Sequence, residues 1–276
     1  MLTDVAQAAR QELAGFQGPL IGPADADYED ARQVYNAMID KRPALIARAA
    51  NADDVARAVN FARDKDLLLA IRGGGHNGPG LGTCDDGVVI DLSLLKQVEV
   101  DPAARTVRVG GGCTWGEVDA TTNAYGLATP SGIISTTGVG GLTLGGGLGH
   151  LTRKCGLAID NLLEADVVLA NGERVRANAD ENPDLYWAIR GGGGNFGVVT
   201  SFLFRLHEVS NVFGGPTFWP VEQGAEVLSA YREFLPSAPR ELNAFFCFHQ
   251  VPPAPPFPEE IHLRKVSGVV WCYVGS

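Results

Sequence analysis

The chain has 276 residues, 45% hydrophobic and 20% charged, which is the composition of a folded globular protein with room for one large or two ordinary domains. Its net charge of −10 argues against nucleic acid or an anionic membrane surface as the main partner. No apolar run approaches the ~18–20 residues of a membrane span, and the N-terminal stretch has no apolar core of a secretory signal, so a cytoplasmic protein is expected.

Residues 1–39 read as an N-terminal helical segment. It holds an alanine-rich helix, a Gly/Pro break at 18–23, and a second helix over 28–39 with Val34, Met38 and Ile39 on one face. Residues 44–49 form a strand, and Asn51 or Asp53 caps a helix whose Val55, Val59 and Ala62 face inward. Residues 67–71 are wholly apolar, long enough for a buried strand and too short for a helix, and they complete a βαβ unit. They run into Arg72 and the turn Gly73-Gly74-Gly75-His76-Asn77-Gly78. Bare N–H groups in such a turn make an anion cradle. A strand over 87–92 follows, then a hairpin of 97–100 and 106–109, glycines 110–112, and a helix over 114–125 with Trp115, Val118 and Ala120 inward.

Residues 129–149 are glycine-dense and predict loop and tight turns, since each interior Gly costs a helix ~1 kcal/mol against Ala. Residues 164–170 and 174–177 pair as a hairpin whose Asn171-Gly172 predicts a type I′ turn. A short helix over 183–189 is opened by Asn182; a second glycine turn spans 191–197, and a strand spans 198–204. Composition shifts near Val209. An aromatic strand (212–219), a helix (222–234), a strand (244–248), a proline-rich loop (252–258) and an apolar strand (266–274) read as a second domain that starts at Ser210 and is unfinished at Ser276.

Two stretches match G-x-G-x-x-G: Gly73, Gly75, Gly78 and Gly192, Gly194, Gly197. A dinucleotide site of the Rossmann kind needs a strand before and a helix after. The first match is followed by a proline and no helical pattern, and the second runs from helix into strand, so neither is one. Asp91 stands where a ribose-binding acid is expected, in the wrong context. No G-K-[ST] lysine and no G-x-S-x-G elbow is present, and Asp85-Asp86 reads as a turn. The five cysteines make no C-x-x-C pair and read as free thiols, Cys113 and Cys155 as small buried or half-buried residues. The five histidines show no metal-ligand spacing. Trp115, Trp187 and Phe196 read as core. His76 has three readings: a hydrogen-bonded loop residue, a general base lacking an evident partner acid, or a nucleophile toward an electrophilic cofactor.

Four motifs in order carry a resemblance: Arg72-Gly-Gly-Gly-His76-Asn77; Gly138-Val-Gly-Gly141-Leu-Thr-Leu-Gly-Gly-Gly147-Leu-Gly149; Arg153-Lys-Cys-Gly-Leu-Ala-Ile-Asp160-Asn161; and Gly191-Gly-Gly-Gly-Asn-Phe-Gly-Val-Val-Thr200. From about residue 28 onward the sequence resembles the FAD-linked oxidoreductases with a PCMH-type FAD-binding domain, of the vanillyl-alcohol oxidase superfamily. It is most similar to their berberine-bridge-enzyme-like and 6-hydroxy-D-nicotine-oxidase-like group. The resemblance implies an α+β fold, with a two-lobed FAD-binding domain over 40–209 followed by an incomplete α+β substrate domain over 210–276. It implies that Arg72, Gly73, Gly74, Gly75, His76, Asn77 and Gly78 wrap the FAD pyrophosphate, with His76 joined covalently to the flavin 8α-methyl. Ser131, Thr137, Gly138, Gly141, Gly145 and Gly146 are implied to lie along the pyrophosphate and ring, with Asn161 also in the cofactor's surroundings. Gly197 and Val198 are implied to meet the pyrimidine edge.

Two departures from the family pattern stand out. Many relatives carry a second flavin link through a cysteine at the position of Ile134, so a single link through His76 is expected. Cys155 replaces a tyrosine that lines the active site in many relatives. Family members also continue past this point, and their catalytic base is often in that later part, so no catalytic residue is named. The function implied is an FAD-dependent oxidase or dehydrogenase acting on a small alcohol, sugar or amine, with hydride passed to FAD, O2 as acceptor and H2O2 as product. The alternative is a truncated, catalytically incomplete flavin-binding fragment. No metal, nucleic acid or membrane partner is expected.

Overall fold

The computed structural model of the chain describes residues 2–209 and 211–275; the boundary expected at Ser210 and the terminus at Ser276 lie outside the described residues. The first lobe comprises α1 (Leu2–Glu12), β1 (Leu20–Ile21), α2 (Tyr28–Ala31), β2 (Leu45–Arg48), α3 (Ala52–Asp64), β3 (Leu69–Arg72) and β4 (Val88–Asp91). Its sheet runs β1-β2-β4-β3, with β2, β4 and β3 parallel and β1 antiparallel at the edge. Parallel strands are buried on both faces, which is why these segments read as continuous apolar runs. Leu45, Ala47, Val88 and Ile90 face Val55, Ala58, Val59 and Ala62 of α3 and Ala6 and Ala9 of α1. Ile46, Ala70 and Val89 face Tyr28 and Ala31 on the other side. Asn51 caps α3, its Oδ1 accepting from the Asp54 N–H at 2.9 Å.

The helix expected over 28–39 ends at Ala31, and Met38 is exposed. Beyond Arg32 the backbone makes distant bonds in place of helical ones. The Gln33 carbonyl accepts from Arg72, and the Tyr35 N–H donates to the Gly75 carbonyl at 3.1 Å. The β3–β4 crossover has no helix: residues 73–87 join two parallel strands as a loop.

The second lobe holds β5 (Val98–Asp101), β6 (Thr106–Gly110), α4 (Trp115–Asn123), β7 (Leu127–Ala128), α5 (Val139–Leu144), α6 (Thr152–Cys155), β8 (Leu162–Val168), β9 (Arg174–Asn178), α7 (Pro183–Ala188), β10 (Val198–Arg205) and β11 (His207–Glu208). Its antiparallel sheet runs β5-β6-β10-β8-β9, and β7 pairs with β11. Val107, Val109, Phe202 and Phe204 pack with Trp115, Val118, Val139 and Ile159. Val168 and Val198 join the core of the first lobe instead, so one sheet contributes to two cores.

Four expectations need correction here. The third inward position of α4 is Thr122, while Ala120 is exposed. Trp187 on α7 and Phe196 in the 3-10 turn Gly193–Phe196 lie at the surface, because both segments are short and neither buries a residue fully. At Asn171-Gly172 only Gly172 has a positive φ (+81°), and Gly172 N–H donates to Leu169 O while Leu169 N–H donates to Glu173 O. That is a type I turn closed by a left-handed glycine, not type I′, which needs positive φ at both central residues. Finally, the glycine-dense stretch contains α5 and α6. α5 forms because Val139, Thr143 and Leu144 are buried, so packing outweighs the propensity cost of its glycines.

The last elements are β12 (Phe213–Pro220), α8 (Gly224–Phe234), β13 (Leu242–Gln250) and β14 (Lys265–Tyr273), with β14 central in an antiparallel sheet β12-β14-β13. The strand expected over 244–248 is longer at both ends. Tyr231 of α8 donates to the Ala244 carbonyl at 2.9 Å, fixing the helix against the sheet. Among the described residues no helix is long and apolar enough to cross a membrane.

Candidate functional site

β3 ends on Arg72 and delivers the glycine turn to the seam between the two lobes. The second lobe meets it with residues 136–138, at the N-terminus of α5. The approach is backbone to backbone. A Cβ on Gly74 would lie 2.3 Å from Gly138 N, and a Cβ on Gly138 would lie 2.3 Å from Gly74 N. No side chain fits at either position, since real Cβ atoms do not come that close. Gly75 has φ +71°, a left-handed conformation that redirects the chain into His76. Residues 113–116 pin the facing strand: Trp115 N–H donates to Thr137 O at 3.0 Å, and Val139 N–H to Cys113 O at 2.9 Å.

His76 is held on three sides. Thr136 Oγ1 lies 3.1 Å from Nε2 and Thr137 Oγ1 lies 3.4 Å from Nδ1. The Tyr35 ring stacks on the imidazole, with centroids 4.0 Å apart and planes 16° apart. Tyr35 and Thr136 were not among the expected site residues. Tyr35 carried no sequence signal, because it stood inside an expected helix. The hydroxyl pair Thr136-Thr137 ahead of Gly138 was visible, but only Thr137 was singled out.

The loop that carries His76 is braced from residues 32–41. Tyr35 N–H bonds to Gly75 O, Asn36 Nδ2 donates to Gly78 O at 3.0 Å, and Lys41 Nζ donates to Gly80 O at 3.1 Å. Asn77 serves the loop itself, its Oδ1 accepting from Leu81 N–H at 2.9 Å. Arg72 is placed differently from the rest of its motif. Its guanidinium is buried, donating to Asp91 Oδ2 at 3.0 Å and to the Gln33 carbonyl at 3.4 Å. Asp91, read as out of context for a ribose, is the buried partner of Arg72 and Arg48.

The glycine-dense stretch folds back on itself. A Cβ on Gly149 would lie 2.0 Å from Ser131 O, so the two ends of the stretch touch. Gly146 has φ +113°, and its carbonyl accepts from Ile159 N–H. Gly145 closes α5, with its N–H on Gly141 O. Gly197 (φ +144°) has no room for a side chain against Val168 O, and Val198 is buried beside it. Asn161 is occupied internally. Its Nδ2 donates to the Cys155 and Leu157 carbonyls at 2.9 Å, and its Oδ1 accepts from His207 Nε2 at 2.6 Å. It thereby shapes the loop after α6. Burial pushes the half-buried Cys155 thiol up, against an opposing pull from Lys154. Cys155 therefore stands as a thiol, not as a reactive thiolate. His150 packs edge-on to Phe245 of β13, and burial holds its pKa below the ordinary histidine value. Ile134 is half exposed beside Ile133.

The residues fit an extended dinucleotide such as FAD. Bare backbone at Gly74 and Gly138 meets without side chains. At Gly78, Gly141, Gly191, Gly193 and Gly194, by contrast, a Cβ would meet no protein atom within 4 Å. Tightly opposed glycines beside open, side-chain-free backbone make a wall that admits an anionic chain to N–H groups.

Comparison with known proteins agrees with this reading. Residues 43–178 match the FAD binding domain family. An FAD-linked oxidoreductase of Dictyostelium discoideum is 41% identical over 240 residues, covering 86% of this chain and 53% of the relative. The structure of 6-hydroxy-D-nicotine oxidase from Arthrobacter nicotinovorans superposes with a TM-score of 0.85 at 35% identity, covering 95% of this chain and 56% of that one. A BBE-like protein of Physcomitrella patens gives a TM-score of 0.87 at 33% identity, covering 97% and 56%. The chain thus spans about half the length of the relatives it matches.

Proposed function

We propose, for a chain that belongs to the FAD-linked oxidoreductases, that FAD lies along the glycine seam and is joined covalently to His76 alone. We further propose that the whole protein is an oxidase acting on a small alcohol, sugar or amine, with O2 as acceptor and H2O2 as product. The observation that carries this reading is the seam itself: a histidine oriented by Thr136, Thr137 and Tyr35, set where two glycine backbones meet. FAD, when bound, supplies two-electron chemistry that no side chain of this chain can supply.

The chain's own residues hold and orient. Residues 73–75, Gly138, Gly140 and Gly141 offer backbone N–H groups to phosphate, while the Val139 N–H is held by the Cys113 carbonyl. Arg72 stays out of that contact and locks the strand end to Asp91. Tyr35 and the threonines fix the plane and rotation of the imidazole. Ile134 offers no thiol for a second link. We assign Cys155, a neutral thiol, to the active-site lining.

The test is direct. The purified chain should be yellow, and its flavin absorbance should stay with the protein through acid precipitation. His76→Ala should release the flavin into the acid supernatant. A colourless preparation would overturn FAD binding, and retention of flavin by His76→Ala through acid would overturn the anchor. Peroxide release with a panel of sugars, alcohols and amines then tests the activity.

A further inference from the structure

We infer that Thr136 is a positioning residue for cofactor attachment, acting through His76 by fixing which ring nitrogen carries the proton. This inference rests on the proposed link at His76 and extends it to a residue that makes no demand on the cofactor itself. The two hydroxyls around the imidazole are not equivalent. Thr136 Oγ1 is 3.1 Å from Nε2, within ordinary hydrogen-bond range, whereas Thr137 Oγ1 is 3.4 Å from Nδ1, at the weak limit. Thr137 is also tied through its backbone, with its carbonyl accepting from Trp115 N–H and its N–H donating to Ile134 O. A threonine hydroxyl can donate or accept at a ring nitrogen. We assign the tautomer in which Nε2–H donates to Thr136 Oγ1, because it leaves the lone pair on Nδ1, whose hydroxyl neighbour Thr137 is at the weak limit of 3.4 Å. Tyr35, stacked at 4.0 Å, keeps the ring from turning over and exchanging the two nitrogens.

A free lone pair on one nitrogen is the requirement for a nucleophile. Attachment forms a bond from Nδ1 to the flavin 8α carbon and breaks one C–H bond of that methyl. The methyl proton, the imidazole N–H proton and two electrons leave together on dioxygen as H2O2. The proton given up by the ring is the one on Nε2, and Thr136 Oγ1 is its acceptor in the hydrogen bond. Thr136 is exposed, so its side chain contributes little to the core and can be changed without a packing defect.

The full chain, produced under riboflavin starvation and then given FAD, supplies the test. Acid-stable flavin is followed against time in the parent, Thr136→Val and Thr136→Ser. Losing one neutral hydrogen bond should slow attachment by about five- to tenfold in Thr136→Val, while Thr136→Ser should stay within about twofold of the parent. In the flavin-free chain the ring 15N shifts of His76, assigned by their loss in His76→Gln, should report one dominant tautomer in the parent and Thr136→Ser and a mixture in Thr136→Val. Attachment at the parental rate with unchanged ring shifts in Thr136→Val would overturn the inference. So would a Thr136→Ser chain as slow as Thr136→Val. If the parent holds no acid-stable flavin, the link at His76 fails, and the ring shifts of the flavin-free chains still decide the part of Thr136.

Discussion

Asp91 shows how a single buried charge sets the shape of the site from behind. Burial alone would push its carboxyl up. Arg72 at 3.0 Å, Arg48 at 2.9 Å and the Ser93 N–H at 3.0 Å outweigh that and hold it below the usual carboxylate range. A folded-state value below the unfolded one means that the stabilisation is present above the unfolded pKa of ~3.9 and is lost as pH falls through the folded value. Asp91→Asn leaves Arg72 buried without its charge partner. It should cost about 3–5 kcal/mol at neutral pH, read from urea unfolding, and should flatten the acid limb of stability against pH. A variant as stable as the parent at pH 7 would show that the pair does not hold the strand end. Gly74 makes the complementary case, where the constraint is space. Gly74→Ala puts a methyl 2.3 Å from Gly138 N, which only backbone movement can relieve. The expected outcome is a loss of about 1–3 kcal/mol in stability and of acid-stable flavin together. Parental flavin content in this variant would separate the close approach from cofactor binding.

At the scale of elements, what the sequence reveals depends on how local the cause is. The strands β2, β3 and β4 and helix α3 were legible because burial writes itself into apolar runs and a 3.6-residue stripe. The glycine turns were legible as turns, since few other residues tolerate that backbone. α5 was not legible: half of its six residues, Val139, Thr143 and Leu144, are buried, and Val139 and Leu144 meet a core built from β6 and β10 that nothing nearby in the chain announces. The segment after α2 was misread for the same reason. Its helical pattern is genuine, but Gln33, Tyr35, Asn36 and Lys41 find partners at Arg72, Gly75, Gly78 and Gly80, far along the chain. Those bonds replace the i→i−4 ladder and turn a would-be helix into the brace of the His76 loop. The histidine was thus visible in the sequence, and most of what orients it was not. Of its three neighbours, Thr136 and Thr137 lie in the glycine-dense stretch and Tyr35 lies far outside it.

In the whole molecule, β12, β13, β14 and α8 are fastened to the two lobes through α6. The Arg153 guanidinium donates to the Leu235 carbonyl at 3.0 Å and to the Ala238 carbonyl at 2.9 Å, while Lys154 Nζ donates to the Val274 carbonyl at 3.1 Å. The return bond runs from Arg240 Nε to the Arg153 carbonyl at 3.2 Å. All four bonds use main-chain carbonyls at α6, the end of α8 and the end of β14, so they join elements rather than side chains. Charged donors to neutral acceptors contribute about 1.5–3 kcal/mol each where water is excluded. Arg153→Met keeps the aliphatic stem and removes two of them. The third sheet should then lose its hold while each lobe keeps its own core, because the clusters around Phe202 and around Val88 contain no residue beyond Leu206. Thermal unfolding should change from one transition to two. Tryptophan emission from Trp219 and Trp271 should follow the earlier transition, and the rise in flavin fluorescence as its surroundings unfold should follow the later. A single transition shared by both signals in Arg153→Met would mean that the apolar contact between His150 and Phe245, and not the arginine, couples the parts.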